Sequence, residues 1–580
     1  MYNNPDNISL ARFPNLANVQ VIVDFTIKLK SILISLTFSI IFVFCSSAEQ
    51  LPTFVDATKE AGIDFKHNNG KTEHKHIIET MGSGAVFFDY DTDGDVDLYF
   101  VNSGPVPEKG VPKSEFHAAR NVLYRNEGNG RFTDVTKTTG TGDTGYGMAA
   151  SAGDIDNDGD LDLYVCNFGQ DTLYRNNGDG TFTDITKAAG IDNSLWSIAA
   201  VYLDYDLDGD LDIFVVNYLI YQLSMPVTSY KGIIGYGHPR SYEGTADVLY
   251  KNSGNGTFTN VADAAGLENP GEGRGMAAVV CDFDNDRFPD IYVANDTSRN
   301  FFYHNNGDGT FTDESLFLGV GYDENGVAEG SMGVDVGDYN RDGLFDIIVA
   351  NSEKATLYKL QNLGDDNFFF EEATVESLLQ KPTLPLVGFS PLFIDYDNDG
   401  YLDIFSANGH PQEVIEQLTD YETFAQRDQL FHNNGNGTYT EVSQTSGDYF
   451  SETLVGRAAA SADYDNDGDI DIVIMNSNQR AVLLKNEGGN EKNWLGVKLV
   501  GTQSNRDGIG AKVKIGIGNI TQIAVVKSGS SYASGSDLRL LFGLNKAKKI
   551  DSIVIEWPSG IVQKSEDVLI NQTLTISEAE

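Results

Sequence analysis

The chain has 580 residues, with 85 acidic against 40 basic side chains and a formal net charge of −45. Such a surface repels a phosphate backbone, which argues against nucleic acid as a partner. Yet 41% of the residues are hydrophobic and 11% aromatic, which argues for a folded chain over a disordered polyanion, and three cysteines are too few for a disulfide framework.

Residues 1–27 carry no pattern. Lys28 and Lys30 then precede an apolar run from Ile32 to Phe44 and the small residues Ser46-Ser47-Ala48. A charged start, a short apolar run and a small-residue cleavage point make a secretory signal, and the run is too short to span a bilayer. Residues 1–48 are therefore expected to be an N-terminal extension and signal peptide. The mature chain would start near Glu49 without a transmembrane segment. It would be secreted and extracellular, or periplasmic if bacterial. Phe44 is too bulky before Cys45 for the usual lipoprotein signal.

From Leu51 to Gly489 the chain is a repeat array. Its organising unit reads D-x-D-x-D-G-x-x-D and occurs seven times. The acidic positions are Asp89, Asp91, Asp93, Asp95 and Asp97; Asp154, Asp156, Asp158, Asp160 and Asp162; and Asp204, Asp206, Asp208, Asp210 and Asp212. The fourth copy has Asp282, Asp284, Asp286 and Asp290, and the fifth has Asp338, Asn340, Asp342 and Asp346. The last two have Asp395, Asp397, Asp399 and Asp403, then Asp463, Asp465, Asp467, Asp469 and Asp471.

Oxygens at alternate positions, broken by a glycine that lets the chain turn back, can wrap a hard cation. Ca²⁺ takes about 6–8 oxygens, and an ion removes the mutual repulsion of so many carboxylates. Up to seven Ca²⁺ are expected. The seventh position varies (Asp95, Phe288, Leu344, Tyr401), which fits a ligand supplied by the main-chain carbonyl there. An EF-hand would need a glutamate at position twelve and flanking helices. Position twelve is instead Phe100, Val165, Val215, Val293, Val349, Ser406 or Ile474, within β-type residues. Arg287 replaces the loop glycine in the fourth copy and Asn340 an aspartate in the fifth, so these two sites are expected to bind weakest.

Each unit reads as four short strands. The first is rich in small residues, as in Gly147-Met148-Ala149-Ala150-Ser151-Ala152-Gly153, and fits a crowded axis. The second follows the loop and ends in Asn. The third, Thr172-Leu173-Tyr174-Arg175-Asn176, turns through Asn177-Gly178-Asp179-Gly180 into the fourth. This predicts an all-β, seven-bladed β-propeller. The array begins with an orphan fourth strand, Phe54 to Thr58, and its last unit stops after a third, Val482 to Asn486. The first segment can therefore complete the last blade and leave no open edge. Cys166 and Cys281 lie in or beside apolar strands and are expected to be buried thiols.

This topology puts the metal loops and the Gly-rich turns on one face. Three long connections, Ser103–Arg120, Tyr218–Asp247 and Gly409–Asp428, fall on the other, where loops on a rigid scaffold tend to carry binding. Tyr236, His238, Arg240 and His410 are the candidate ligand-binding residues there. Solvated insertions that merely cover the mouth are the plainer reading.

After Asn493 the repeat stops. Six strands are expected: Trp494–Val500, Ala511–Ile517, Ile520–Ser528, Leu538–Leu544, Asp551–Trp557 and Thr573–Ser577, making a small sandwich-like domain. Asn493-Trp494-Leu495, Ser504-Asn505-Arg506-Asp507-Gly508-Ile509-Gly510-Ala511, Phe542-Gly543-Leu544 and Trp557-Pro558-Ser559-Gly560 resemble the ASPIC/UnbV domain. The repeats resemble the FG-GAP/VCBS repeats of integrin α propellers. Together they resemble the cartilage acidic protein 1 family over nearly all of the mature chain. The resemblance implies an extracellular calcium-binding propeller at residues 49–489 and an ASPIC/UnbV domain at 493–580. It also implies that partners bind on the face opposite the calcium loops.

No nucleophile elbow, phosphate-binding loop or HExxH run is present, so no catalytic residue is assigned. His67, His74 and His76 could bind a transition metal or simply sit in a polar loop. Arg506 and Asp507 could pair in a turn or form part of a site. Two function classes remain. One is a secreted binding or adhesion module with an extracellular protein or glycan ligand. The other is a propeller enzyme acting on an extracellular substrate such as polysaccharide, for which converging His, Arg and carboxylate groups would be the sign.

Overall fold

The computed structural model describes residues 51–108, 111–267, 272–364 and 367–579. The leader and Cys45 lie outside the described residues. Each repeat forms a four-stranded antiparallel sheet. In the second, Gly147–Gly153, Asp162–Asn167, Thr172–Asn176 and Phe182–Asp184 pair in sequence order. The same order recurs in the others, from Ala85–Phe88 in the first to Gly388–Ile394 in the sixth. First and second strands are almost wholly buried, which is why they read as apolar or small on both faces.

The seventh sheet has the order Thr53–Asp56, Val482–Glu487, Asp471–Asn476, Gly456–Ala462. Phe54 sits opposite Asn486, so the orphan strand completes the last blade as expected. In six blades an asparagine at or near the end of the third strand ties the blade to its neighbour. Asn176 Nδ2 donates to Tyr90 O at 2.8 Å, Asn252 Nδ2 to Ile155 O at 2.8 Å and Asn305 Nδ2 to Tyr205 O at 2.8 Å. Asn433 and Asn486 repeat the bond to Tyr339 O and Tyr396 O. Asn126 makes it from the first blade to Tyr464 O of the last. The fifth blade has Leu360 at this position and lacks the bond.

The C-terminal region forms two sheets. One is Leu540–Asn545, Asn493–Val500 and Thr573–Ser577; the other is Ile520–Val525, Lys512–Ile517, Ile550–Glu556 and Val562–Val568. Leu495, Val497, Val513, Ile515, Ile553 and Trp557 are buried in its core. Two elements differ from expectation. Val562–Val568 is a seventh strand of this region, polar and partly exposed at a sheet edge, so it carries no apolar alternation. The third predicted strand stops at Val525, because the residues after it leave the sheet.

Those residues enter the axis of the propeller. Ser528 Oγ accepts from Tyr202 N at 2.7 Å, and Ser531 N donates to Val334 O at 2.6 Å. Tyr532 N donates to Ser390 Oγ at 3.3 Å, and Ser534 Oγ donates to Ala459 O at 2.7 Å. Ser534–Gly535 adds in parallel to Ala85–Phe88. The small residues of the first strands make room for this segment. A Cβ at Gly84 would lie 2.6 Å from Ala533 O, and one at Gly333 would lie 2.9 Å from Tyr532 N. Tyr532 is fully buried and packs edge-on against Phe389, with ring centroids 5.2 Å apart.

Candidate metal loops and the two faces of the propeller

Five of the seven loops, the second, third, fifth, sixth and seventh, share one clamp on the first aspartate. The first aspartate accepts from two main-chain N–H groups: Asp154 Oδ1 from Asp158 N at 3.1 Å and Asp154 Oδ2 from Gly159 N at 2.7 Å. The fifth-position carboxylate accepts from the seventh N–H, as Asp158 does from Asp160 at 3.0 Å. The ninth clamps the turn to the blade. Asp162 Oδ2 accepts from Ile155 N at 2.9 Å and Oδ1 from Asn176 N at 2.7 Å.

The loop glycine sits at φ between +86° and +98° in six copies, a region that disfavours a Cβ. Arg287 is held at φ +84° in the fourth. The fourth position is left-handed too: Thr92, Asn157, Leu207, Asn285, Arg341, Asn398 and Asn466 all have positive φ. Asparagine recurs there because it tolerates that conformation best after glycine, a signal the spacing argument passed over.

First, third and ninth carboxylates converge. Asp89, Asp91 and Asp97, then Asp154, Asp156 and Asp162, then Asp204, Asp206 and Asp212 each bring ligand oxygens within 4.8 Å of one another. In the sixth blade Asp397 and Asp403 converge with His432. These clusters could hold a metal ion. Several of their oxygens are buried without a donor, among them Asp89 Oδ1, Asp91 Oδ1, Asp206 Oδ1, Asp282 Oδ1 and Asp465 Oδ1. Burial dominates their protonation. It pushes Asp97 and Asp212 up to about 9, against the pull of two backbone N–H groups on each.

The seventh-position side chains turn elsewhere. Asp95 Oδ1 accepts from Asn466 Nδ2 at 2.7 Å and Asp210 Oδ1 from Asn157 Nδ2 at 3.1 Å, both in other blades. Asp160 lies against Gly178 of the hairpin turn, and Phe288 and Tyr401 occupy the same place against Gly307 and Gly435. That position fills a gap between loop and turn, which accounts for its variability. Asp469 Oδ2 accepts from Asn490 N at 3.1 Å.

Sequence reasoning missed a basic residue beside the loops. The residue before the third-strand asparagine is Arg125, Arg175, Lys251, His304, His432 or Lys485, with Lys359 before Leu360. Lys251 pairs with Asp206 and Asp208, and Lys485 with Asp465 and Asp467. His304 Nδ1 lies 3.1 Å from Asp290, chiefly through which its pKa rises to about 9. The regular placement of a cation one residue before Asn was the available signal.

The C-terminal region covers this face. Lys492 pairs with Asp397 at 3.0 Å, Lys498 lies 3.6 Å from Asp89, and Lys512 bonds to Asn285. Arg506 N donates to Asn157 Oδ1 at 2.8 Å, and Arg539 Nη1 to Asn466 Oδ1 at 2.7 Å. Asp507 accepts from Asp154 N, so it serves the blade-two loop.

The opposite mouth is lined by the long connections. Tyr236 is buried, its hydroxyl donating to Glu79 Oε2 at 3.2 Å and its N–H to Gln412 Oε1 at 3.1 Å. His410 Nδ1 accepts from Gln412 N at 2.9 Å, and burial beside Arg457 pushes its pKa down to about 4. Arg457 is fully buried and donates to Thr80 O and Gly409 O. His238 and Arg240 sit apart, in a short 3₁₀ turn where His238 Nδ1 accepts from Arg240 N; Arg240 Nη2 reaches Ala328 O at 3.5 Å. Tyr236 and His410 are thus linked through Gln412, whereas no bond joins them to His238 and Arg240 among the described residues. His67 is buried against Ser103 and Asn478, away from the other two histidines of its stretch. Cys166 and Cys281 are free, buried thiols. No helix among the described residues is long and apolar enough to cross a membrane.

The repeats and the C-terminal region both match known families. The FG-GAP-like repeat family matches residues 89–165, 154–215, 240–293, 282–349, 338–406 and 395–474, and the ASPIC and UnbV family matches 501–580. Cartilage acidic protein 1 of Xenopus tropicalis is 27% identical over 309 residues, covering 52% of this chain and 44% of that protein. The human protein of that name is 26% identical over 307 residues, covering 52% and 43%. The matched part thus spans under half the length of these relatives. Among solved structures, an Agrocybe aegerita lectin recognising non-reducing terminal N-acetylglucosamine covers 70% of this chain and 96% of its own, at 16% identity and a TM-score of 0.38. With its repeats and its C-terminal region both matched, the chain belongs to the FG-GAP-like repeat proteins that carry an ASPIC and UnbV region, related to cartilage acidic protein 1.

Proposed function

We propose that this protein is a secreted calcium-binding propeller, residues 49–489 with a C-terminal domain at 493–580, acting as an extracellular binding or adhesion module. The observation that carries the calcium reading is the set of buried loop oxygens without donors, such as Asp89 Oδ1 and Asp206 Oδ1. A buried charged acceptor left unpaired costs more than about 1–3 kcal/mol, and a hard divalent cation removes that cost. The donors in the first three blades are oxygen only, which suits Ca²⁺ over softer metals. The first, third, fifth and ninth residues of each loop would hold the ion, and when bound it supplies charge compensation that fixes the turn to its blade.

The relation to cartilage acidic protein 1 supports an extracellular binding role. With the C-terminal region lying over the metal loops, the opposite face and its three long connections are left for an extracellular protein or glycan ligand. The test is the calcium content of the purified mature chain, together with its melting in millimolar CaCl₂ and in excess EDTA. Several bound ions and a lower melting temperature in EDTA are expected. A calcium-free chain that melts identically in both overturns the reading. A glycan and extracellular-protein binding screen, with and without chelator, then identifies the ligand.

A further inference from the structure

We infer that His74, His76 and Glu108 form a transition-metal site, selective for an ion such as zinc, on the face of the propeller away from the acidic loops. The two histidines are separated by one residue, and Glu108 comes from the long connection after the first blade's second strand. Glu108 Oε1 lies 3.0 Å from His76 Nε2 and 3.4 Å from His74 Nδ1. All three ligand atoms fall within 4.8 Å of one another. A tetrahedron with metal–ligand bonds of about 2.0–2.1 Å has edges of about 3.3 Å, so two edges are already in place.

The supporting shell is also present. His76 has a side chain only 6% exposed, and its Nδ1 lies 2.9 Å from Tyr221 Oη. Tyr221 Oη can accept from Nδ1–H, and in that tautomer Nε2 is free to bind a metal. His76 N donates to Glu79 Oε1 at 3.1 Å, and Lys71 and Lys75 both pair with Glu413, which pins the segment on either side of His74. Two imidazoles and one carboxylate suit zinc or another borderline ion, whereas Ca²⁺ and Mg²⁺ prefer oxygen alone. His74 is 63% exposed, so the fourth position opens to solvent, for water or for a donor from a ligand. This site is independent of the calcium reading.

The test is calorimetric titration of the full mature chain with zinc chloride in saturating calcium, alongside the visible spectrum with cobalt(II). The native chain should bind one zinc at this site and give a tetrahedral cobalt spectrum. His74→Ala and Glu108→Gln should each weaken zinc at least about tenfold and abolish that spectrum. His117→Ala, an exposed histidine on the Lys113–Ala118 helix, should change neither. His74 is exposed, so His74→Ala should melt like the native chain in calcium. Unchanged zinc affinity and an unchanged cobalt spectrum in His74→Ala and Glu108→Gln, or the absence of zinc binding in the native chain, overturns the assignment.

Discussion

The carboxylate of Asp507 accepts a hydrogen bond from the main-chain N–H of Asp154 at 2.8 Å, so a residue of the C-terminal region holds the first residue of a metal loop. Desolvation and the nearby Asp507 push Asp154 up to about 7, and desolvation raises Asp507 itself to about 6. The contact is therefore strained by like charge, and a cation in the loop would relieve it. Asp507→Ala leaves the Asp154 N–H without its acceptor and should cost about 1–3 kcal/mol in millimolar calcium. Asp507→Asn keeps an acceptor and loses the charge. It should match the native chain in calcium and exceed it in EDTA, as read by urea unfolding. Equal stability of Asp507→Ala and the native chain in calcium would show that the contact carries no docking energy.

The fourth and fifth loops should fill last. Arg287 holds a left-handed backbone that costs a non-glycine residue about 1 kcal/mol or more. Asn340 replaces a carboxylate, and its Nδ2 is buried without a partner. Arg287→Gly should tighten calcium at the fourth loop about fivefold, the equivalent of about 1 kcal/mol. Asn340→Asp should tighten the fifth. Per-site affinities from calcium titration followed by NMR would check both. Tightest binding at these two loops in the native chain would contradict the prediction.

The loops and the completed last blade were legible because their signals are local or sit at the ends of the array. D-x-D-x-D-G-x-x-D fixes its own turn, and an orphan strand at Phe54 is matched by a missing one after Asn486. The axis segment was not legible. Ser528 to Ser536 is a run of serine and glycine around one tyrosine and one alanine, and it has no periodicity. Its partners lie on first strands, 75 residues away at Ala459 and 326 at Tyr202, and they accept a small polar segment without encoding its identity. The covering of the metal loops was hidden for a related reason. Lys492, Lys498, Arg506, Lys512 and Arg539 are scattered singly, and only the fold gathers them over acidic turns.

The axis segment should matter to stability. Tyr532 is fully buried between Phe389 and Met81, its hydroxyl 3.6 Å from Met81 Sδ. Truncating a buried aromatic to alanine typically costs about 3–5 kcal/mol. Tyr532→Ala should therefore lower the melting temperature in saturating calcium, with Tyr532→Phe much closer to the native chain. A Tyr532→Ala protein that melts like the native chain would mean that the segment is not seated on the axis in solution.

A buried acid on the opposite side of the blades gives a pH-dependent prediction. Asp247 Oδ1 accepts from Asn217 N at 2.9 Å, capping the end of a second strand. Asn121 and Asn300 do the same for Asn102 N at 2.7 Å and Asn295 N at 2.8 Å, without a charge. Burial pushes Asp247 up to about 7, and the Asn217 N–H offsets only part of this. Its folded pKa lies above the unfolded value of about 3.9, so the native state keeps a proton that the unfolded chain has released. Its contribution to stability thus falls as pH rises from about 4 to 7. Asp247→Asn removes that loss while keeping the acceptor. The variant should gain on the native chain between pH 5 and 8, by about 1–3 kcal/mol at the upper end. Urea unfolding of both proteins at each pH, in the same calcium, isolates the difference from the titration of the loops. A gap that stays constant with pH would mean that Asp247 is ionised in the folded protein throughout.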